Sequence, residues 1–477
     1  MQPRFVEVDR NTLYLLPPSV QDWLPKGHLA RFVVDIVDQL DLRSLKASYA
    51  GRGSQPYHPA MLVALLFYGY ATGVFSSRKL ERSTYDSVAF RYIAANRHPD
   101  HDTIATFRKR FLPELSGLFV QILLIANQMN LLKLGNVSLD GTKIRANASK
   151  HRAMSYEHAC KIEAQLKAEV AELLHKAEAA DKADIPDGMS IPEELERREE
   201  RLASIADAKA EIERRAAERH SREQAAYEDK VAARAKKSDE TGKKPRGKEP
   251  KPPVPGPKAK DQVNLTDKES RIMPTSSGGF EQTYNAQAAV DTESQLIVAA
   301  HITQQPNDKQ ELAPTLESLA ELPRELGIPT GMLADSGYFS ENNVTVCEEQ
   351  AITPFIAVDR QSHHQSIWDR FREPEPIADD ADAVTKMKHR LKTTAGKAVY
   401  ALRKITSEPV FGIIKQVMGF RSFMVRGKEA VTGEWNLTCI AYNIKIDAYS
   451  VCSKPDELRK SSTASRNGHL KPYVARN

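Results

Sequence analysis

The stretch that most constrains this chain is Leu134–Ser149, LGNVSLDGTKIRANAS. Val137 and Leu139 alternate with polar neighbours, the period of a short strand, and deliver Asp140 to a Gly-containing turn. Two later segments answer it. Met332–Ser340, MLADSGYFS, is again a short apolar run that delivers an acid, Asp335, at a Gly turn. In Ser407–Gly419, SEPVFGIIKQVMG, Glu408 opens a helix and Lys415 follows seven positions later, two turns on, so both share one helical face. Taken singly, each acid is an ordinary turn or helix cap. Together they suit the holding of divalent cations beside a phosphodiester. Mg2+ prefers hard carboxylate oxygens, and two ions about 4 Å apart serve the attacking and leaving oxygens of such a reaction.

The segments DGTKIRANAS, YNAQAAVD, LADSGYFS and EPVFGIIKQVMGFR carry a resemblance. In this order, around these acids, they make the chain resemble the DDE transposases of bacterial insertion sequences. Within them it is similar to the branch with a helical N-terminal domain and an RNase H-like catalytic domain. The resemblance runs from about Phe5 to Lys445, interrupted by a charged insertion. It implies an α/β fold, a mixed sheet flanked by helices. It also implies Asp140, Asp335 and Glu408 as catalytic metal ligands for two Mg2+ ions, with Mn2+ as a substitute. Asp140 would serve both ions, Asp335 one and Glu408 the other. The 195 positions from Asp140 to Asp335 then require an intervening insertion, and Glu408 follows 73 later.

The family pattern also has a tyrosine, an arginine and a lysine around its glutamate. Lys415 fits its register. Tyr400 and Arg403 each sit one position early, and Lys404 occupies the arginine register, so these three carry over as weaker DNA-contact candidates. The implied partners are element-end and target DNA and further copies of the chain, at least a dimer in the working complex. The implied location is the bacterial cytoplasm, on the nucleoid when active. The alternatives are a stand-alone metal-dependent nuclease on the same fold and a non-catalytic DNA-binding derivative.

With 477 residues, two or three domains are expected. The net charge of +5 does not by itself force a nucleic-acid reading, so positive charge must be concentrated locally. Cys160, Cys347, Cys439 and Cys452 lie far apart, without the spacing of a zinc site or a disulfide framework, which fits a reducing compartment. The start has no apolar signal segment. Ala60–Phe75 and Gly117–Leu132 are uncharged, but at 16 residues each they read as buried helices rather than membrane spans.

Residues 1–27, which hold LLPPSVQDWLP, read as a Pro-punctuated extended entry rather than a helix. Leu29, Phe32, Val33, Ile36, Val37 and Leu40 then give a helical period. Pro59 opens the next helix, and a third runs from Ser77 to Ala94. Asp102 reads as the N-cap of a short helix, Thr103–Leu112, that presents Arg108, Lys109 and Arg110. The resulting helix-turn-helix-like array points to DNA contact by these three bases, against the plainer reading of solvated surface charge.

Ala159 to Ala216 carries a narrow apolar stripe broken at Ile185-Pro-Asp-Gly188, an antiparallel helical hairpin or short coiled coil rather than one long helix. Residues 236–260 read as a flexible basic linker with six prolines. Thr283–Val290 and Gln295–Thr303 read as a hairpin turned at Asp291–Ser294, and Asp308–Leu322 as a helix. Asn285 and Gln287 share one strand face, suited either to orienting an acid or to stabilising the sheet. His363-His364 has no zinc-like partner spacing. The segment from Trp435 to Ile444 reads as a buried strand or a final helix.

The expected division is 1–130 as a helical DNA-binding domain and 131–150 with 262–446 as the catalytic domain. Residues 151–235 form the inserted hairpin, 236–261 the linker and 447–477 a polar, disordered tail.

Overall fold

A computed structural model describes residues 19–47, 49, 56–179, 190–241, 247–275, 278–358, 373–378 and 380–453. The lead-in before Ser19, the helix breaker at 185–188, His363-His364 and the tail from 454 lie outside the described residues.

Eight strands occur among the described residues. They are β1 (Asn136–Arg145), β2 (Ala153–Ser155), β3 (Gln262–Asn264), β4 (Arg271–Pro274), β5 (Phe280–Asp291), β6 (Ile297–Thr303), β7 (Gly331–Ala334) and β8 (Thr353–Ile356). The chain divides into two compact units. One holds Met1–Ile144, Asn285–Val425 and Glu429–Asn477; the other holds Arg145–Tyr284 with Arg426–Lys428.

In the first unit the main strands run in the order β6-β5-β1-β7-β8. β5 and β6 pair antiparallel, whereas β1-β7 and β7-β8 pair parallel. Helices flank this mixed sheet, an RNase H-like arrangement. β1 is buried from Val137 to Leu139 and β7 throughout, as strands covered on both faces are. Their register sets Asn136 opposite Gly331, Val137 opposite Met332 and Ser138 opposite Leu333. Carried two residues further, the same register brings Asp335 level with Asp140.

The helices before β1 belong to this unit too. Pro59–Ala71 starts on Pro59, with the His58 ring accepting from Ala60 N–H, and all but two of its 13 residues are buried. It ends at Ala71, short of Phe75, where Thr72 caps it and Gly73 takes φ 84°. The third helix is two: Ser77–Asp86 and Val88–Ile93, broken at Ser87, whose extended backbone ends one and begins the other. Asp100 rather than Asp102 caps His101–Phe111, accepting Thr103 N–H at 2.8 Å, and Asp102 falls in the first turn. The Trp435 segment is helical, within Lys428–Ser453.

The second unit confirms an antiparallel helical pair, Tyr156–Ala179 and Ile191–Thr241. Glu169 meets Arg198, Glu163 meets Lys209, and Tyr156 meets Glu213, so the partner number rises as the first falls. Ala159 and Leu166 pack with Ile205, Ala208 and Ile212 pack with Val263, and Leu173 and Ala216 are buried as well, a narrow stripe. The second helix runs on through Lys236 and Lys237, so the basic segment starts inside it. Residues 247–261 are not a free linker. Arg219 holds Asp261 at 2.9 Å and Gly256 O at 3.2 Å, and Arg234 holds Gly247 O at 2.9 Å. β2 and β3 pair antiparallel beneath the helices, and β4 pairs with the start of β5.

Among the described residues no single helix is long and apolar enough to cross a membrane. The bent pair His101–Phe111 with Ser116–Gln128 meets the length and composition, but its Phe107, Phe111, Leu118 and Ile122 are buried in the protein.

Leu166 packs with Met154, Ala159 and Ile205 in a cluster of its own. Leu166→Ala therefore costs about 2–4 kcal/mol locally. Native-state hydrogen exchange will show faster exchange in Tyr156–Ala179 and Ile191–Thr241 and unchanged protection in β1 and β7. A loss shared equally by those strands contradicts separate cores.

Candidate active site

β1 does not turn at Asp140. It continues through Gly141 to Arg145. The smallness of Gly141 serves close packing instead: a Cβ there would lie 2.8 Å from Asp308 Oδ1 and collide with the Gln287 amide. Asp140 is carried within the strand, its Oδ1 accepting the Gly141 N–H at 2.8 Å. Asp335 ends β7 as expected and caps the short turn Ser336–Tyr338, accepting Gly337 N–H at 2.8 Å. Asp335 acts on Asp140. The Asp140 carboxyl is pushed up to about 6, chiefly by burial, with Asp335 and Asp308 adding their repulsion. The Gly141 N–H and Arg403 oppose that shift.

The helix Thr394–Gly412 lies against this strand. Ser407 Oγ meets Ser138 Oγ at 2.7 Å, and Arg403 Nη1 stands 3.6 Å from Asp140 Oδ2. Arg403, not Lys404, is thus the base beside the acid; Lys404 is exposed. The Tyr400 hydroxyl is pushed up chiefly by burial, with Arg403 beside it opposing.

Glu408 does not open this helix. It sits well inside it, next to Pro409, and its side chain is exposed. Glu408 and Lys415 do not lie on one regular helix. The helix changes to a π turn at Ile413–Val417, which alters the residues per turn. Lys415 Nζ points to β1, donating to Thr142 Oγ1 and, at 3.2 Å, to Lys143 O. Burial, then the Lys143 charge, lowers its pKa, while Asp140 opposes.

Among the described residues no three His, Cys, Asp or Glu side chains converge as a ready-made ligand set. The donor chemistry nevertheless fits Mg2+. Asp140 and Asp335 offer hard carboxylate oxygens side by side, and Mg2+ is held by one or two such groups while keeping several waters.

Sequence reasoning passed over Asp308, which was read only as a helix start; that helix begins at Leu312. The signal available was the shared face of Asn285 and Gln287. Both amides donate to Asp308 Oδ1, at 2.6 and 2.8 Å. They orient an acid, though not one of the three expected.

The three bases before β1 divide. Lys109 and Arg110 are exposed, Arg110 lying over the rings of Tyr49 and Phe111. Arg108 turns inward, donating to Phe75 O at 2.8 Å and to Tyr70 Oη at 3.3 Å. Tyr70 in turn donates at 2.5 Å to Glu434, whose other oxygen accepts the N–H of Met424 and Val425. Burial pushes the Glu434 carboxyl up. Arg108→Ala strands these buried groups and costs about 1–3 kcal/mol. Lys109→Ala costs within about 0.5 kcal/mol. Denaturant midpoints check both, and equal midpoints contradict the inward role.

The raised Asp140 pKa has a stability consequence. Below pH 4 folded and unfolded chains both hold the proton; up to about 6 only the folded chain does. Stability without metal therefore falls as pH rises through this window, by at most about 3 kcal/mol at 1.36 per unit. Asp140→Asn removes the fall. In chelator its unfolding midpoint exceeds wild type at pH 8, and the gap closes toward pH 4. A wild-type midpoint equal to the variant's at pH 8 contradicts the buried charge.

Comparison with known families gives two matches. Residues 18–110 match a Transposase domain, and residues 252–444 match a Transposase DDE domain. Asp335 and Glu408 fall within the second match, and Asp140 lies between the two. No curated protein and no solved structure matches the chain.

Proposed function

The chain belongs to the DDE transposases of the insertion-sequence type, and on that premise we propose that it cuts DNA at element ends and joins the freed 3′-hydroxyls to target DNA. The observation that carries this reading is the β1-β7 register, which, extended, sets Asp335, just past the end of β7, beside Asp140 within β1. Members of this family generally use divalent metals and bind DNA. In this chain Asp140 and Asp335 would hold Mg2+, or Mn2+ in its place, and Glu408 would complete the set once its exposed side chain swings in from the neighbouring helix. Bound there, divalent cations supply an activated oxygen nucleophile and stabilise the leaving oxygen.

The chain's own groups serve the rest. Arg403, 3.6 Å from Asp140, balances the acid's charge before metal enters. Lys415 sits against β1 with a lowered pKa, a cation available to a phosphate that displaces its bonds to Thr142 and Lys143. Tyr400 and Lys404 flank this helix face as DNA contacts. Lys109 and Arg110 are the bases on the N-terminal helices offered to element-end DNA, and paired ends require at least two copies of the chain.

The exposure of Glu408 is the observation that favours the second reading, a non-catalytic DNA-binding derivative. Cleavage of a labelled element-end duplex decides between them. Asp140→Asn, Asp335→Asn and Glu408→Gln each reduce cleavage by about three orders of magnitude or more, because charge placement holds both ions. DNA binding survives in all three. Near-normal cleavage by any one removes that residue from the site, and no cleavage by wild type with Mg2+ or Mn2+ supports the second reading.

A further inference from the structure

Asp308 lies in the connection between β6 and the helix Leu312–Ala320. Its Oδ1 takes three partners: Asn285 Nδ2 at 2.6 Å, Gln287 Nε2 at 2.8 Å and Lys143 Nζ at 3.6 Å. Gln287 is thereby fixed end for end. Its nitrogen faces Asp308, and its Oε1 accepts the Tyr338 hydroxyl at 2.5 Å. Tyr338 is buried and closes the turn that Asp335 caps. A second tie runs beside the first. Asn343 Nδ2 donates to Lys309 O at 2.8 Å and to Tyr338 O at 2.6 Å, joining the Asp308 segment to the same turn. The Gln287 backbone is itself held, its carbonyl accepting the indole N–H of buried Trp435 at 3.0 Å. Gly141, the residue after Asp140, leaves the space in which the Asp308–Gln287 pair reaches β1.

This network bonds to both acids' supports, and the Asp308 charge also repels Asp140. On one side it presses on β1 at Gly141 and Lys143; on the other it ends on the Asp335 turn. Resting on the metal-dependent reading above, we propose that Asp308 is a positioning residue: through Gln287 and Tyr338 it fixes the Asp335 turn relative to the Asp140 strand and so sets the affinity of the metal site. Three partners share its Oδ1, and through these neighbours Asp308 reaches the supports of both acids. Without its charge, the bonds that fix the Gln287 amide one way round weaken. The Tyr338 hydroxyl then loses a fixed acceptor. Outer partners of metal ligands act in this manner, and their loss costs roughly 10–100-fold in metal affinity.

The test uses the full chain and Mn2+ alone, titrated while free Mn2+ is read by electron paramagnetic resonance. Asp308→Asn keeps the shape and removes the charge. It is expected to weaken Mn2+ binding about 10–100-fold while still unfolding cooperatively. The Mn2+ concentration giving half-maximal cleavage should rise by the same factor, with the rate largely restored at saturating Mn2+. Tyr338→Phe deletes only the hydroxyl that links Gln287 to the Asp335 turn, and it should shift both readouts the same way by a smaller factor. If Asp308→Asn fails to fold, Tyr338→Phe decides alone.

Unchanged Mn2+ affinity in the folded variants, with only a lower thermal midpoint, makes the network merely structural and overturns the inference. Asp335→Asn is the control for the underlying reading. If it binds Mn2+ as wild type does, or if wild type binds none, the metal site itself is wrong and the inference falls with it.

Discussion

The organising constraint is the repulsion of two carboxylates that the sheet forces together. Adjacent parallel strands lie about 4.8 Å apart. Two like charges set this close repel each other, which adds to the burial that chiefly pushes the Asp140 carboxyl up. β1 and β7 accept this repulsion at Asp140 and Asp335, the positions their register makes level. Much of the surrounding structure is an answer to it. Arg403 faces Asp140, and Lys143 and Lys415 stand along the same strand. The positive charge that the chain lacks globally is concentrated where the acids meet. The remaining repulsion suits a site completed by a cation.

The strands and the Asp291 and Asp335 turns were legible because local signals agreed with the fold. Val137 and Leu139 form a buried strand, the Asp291 turn joins β5 to β6, and Asp335 ends β7 on a short turn. What failed were features set by distant partners. Gly141 looked like a turn because glycine usually marks one; here it makes room for Gln287 and Asp308, 146 and 167 positions away. Glu408 looked like a helix start because Pro409 follows it, yet the helix runs from Thr394 through Pro409 to Gly412. The Lys415 direction depends on a π turn that no residue pattern announces. Asp308 was invisible as a site residue because its meaning lies wholly in the two amides that hold it.

The N-terminal helices illustrate the same limit. A run of three bases reads as one surface patch, but helical geometry turns Arg108 about 100° per position away from its neighbours. It reaches Phe75 and Tyr70 and, through Tyr70, the buried Glu434. Glu434 in turn holds the backbone at Met424 and Val425, in the segment that follows Lys415. These helices and the segment after the Lys415 turn therefore share one buried polar network. A basic triplet that looked uniform thus contributes one structural residue and two exposed ones.

The central claim is that Asp140, Asp335 and Glu408 converge on one metal site although Glu408 is exposed in the free chain. Anomalous diffraction from crystals of the protein bound to an element-end duplex and Mn2+ measures it directly. The account predicts manganese peaks within coordination distance of Asp140 and Asp335, with the Glu408 carboxylate drawn in against one of them. Manganese bound away from the two aspartates, or bound between them with Glu408 still turned to solvent, contradicts it.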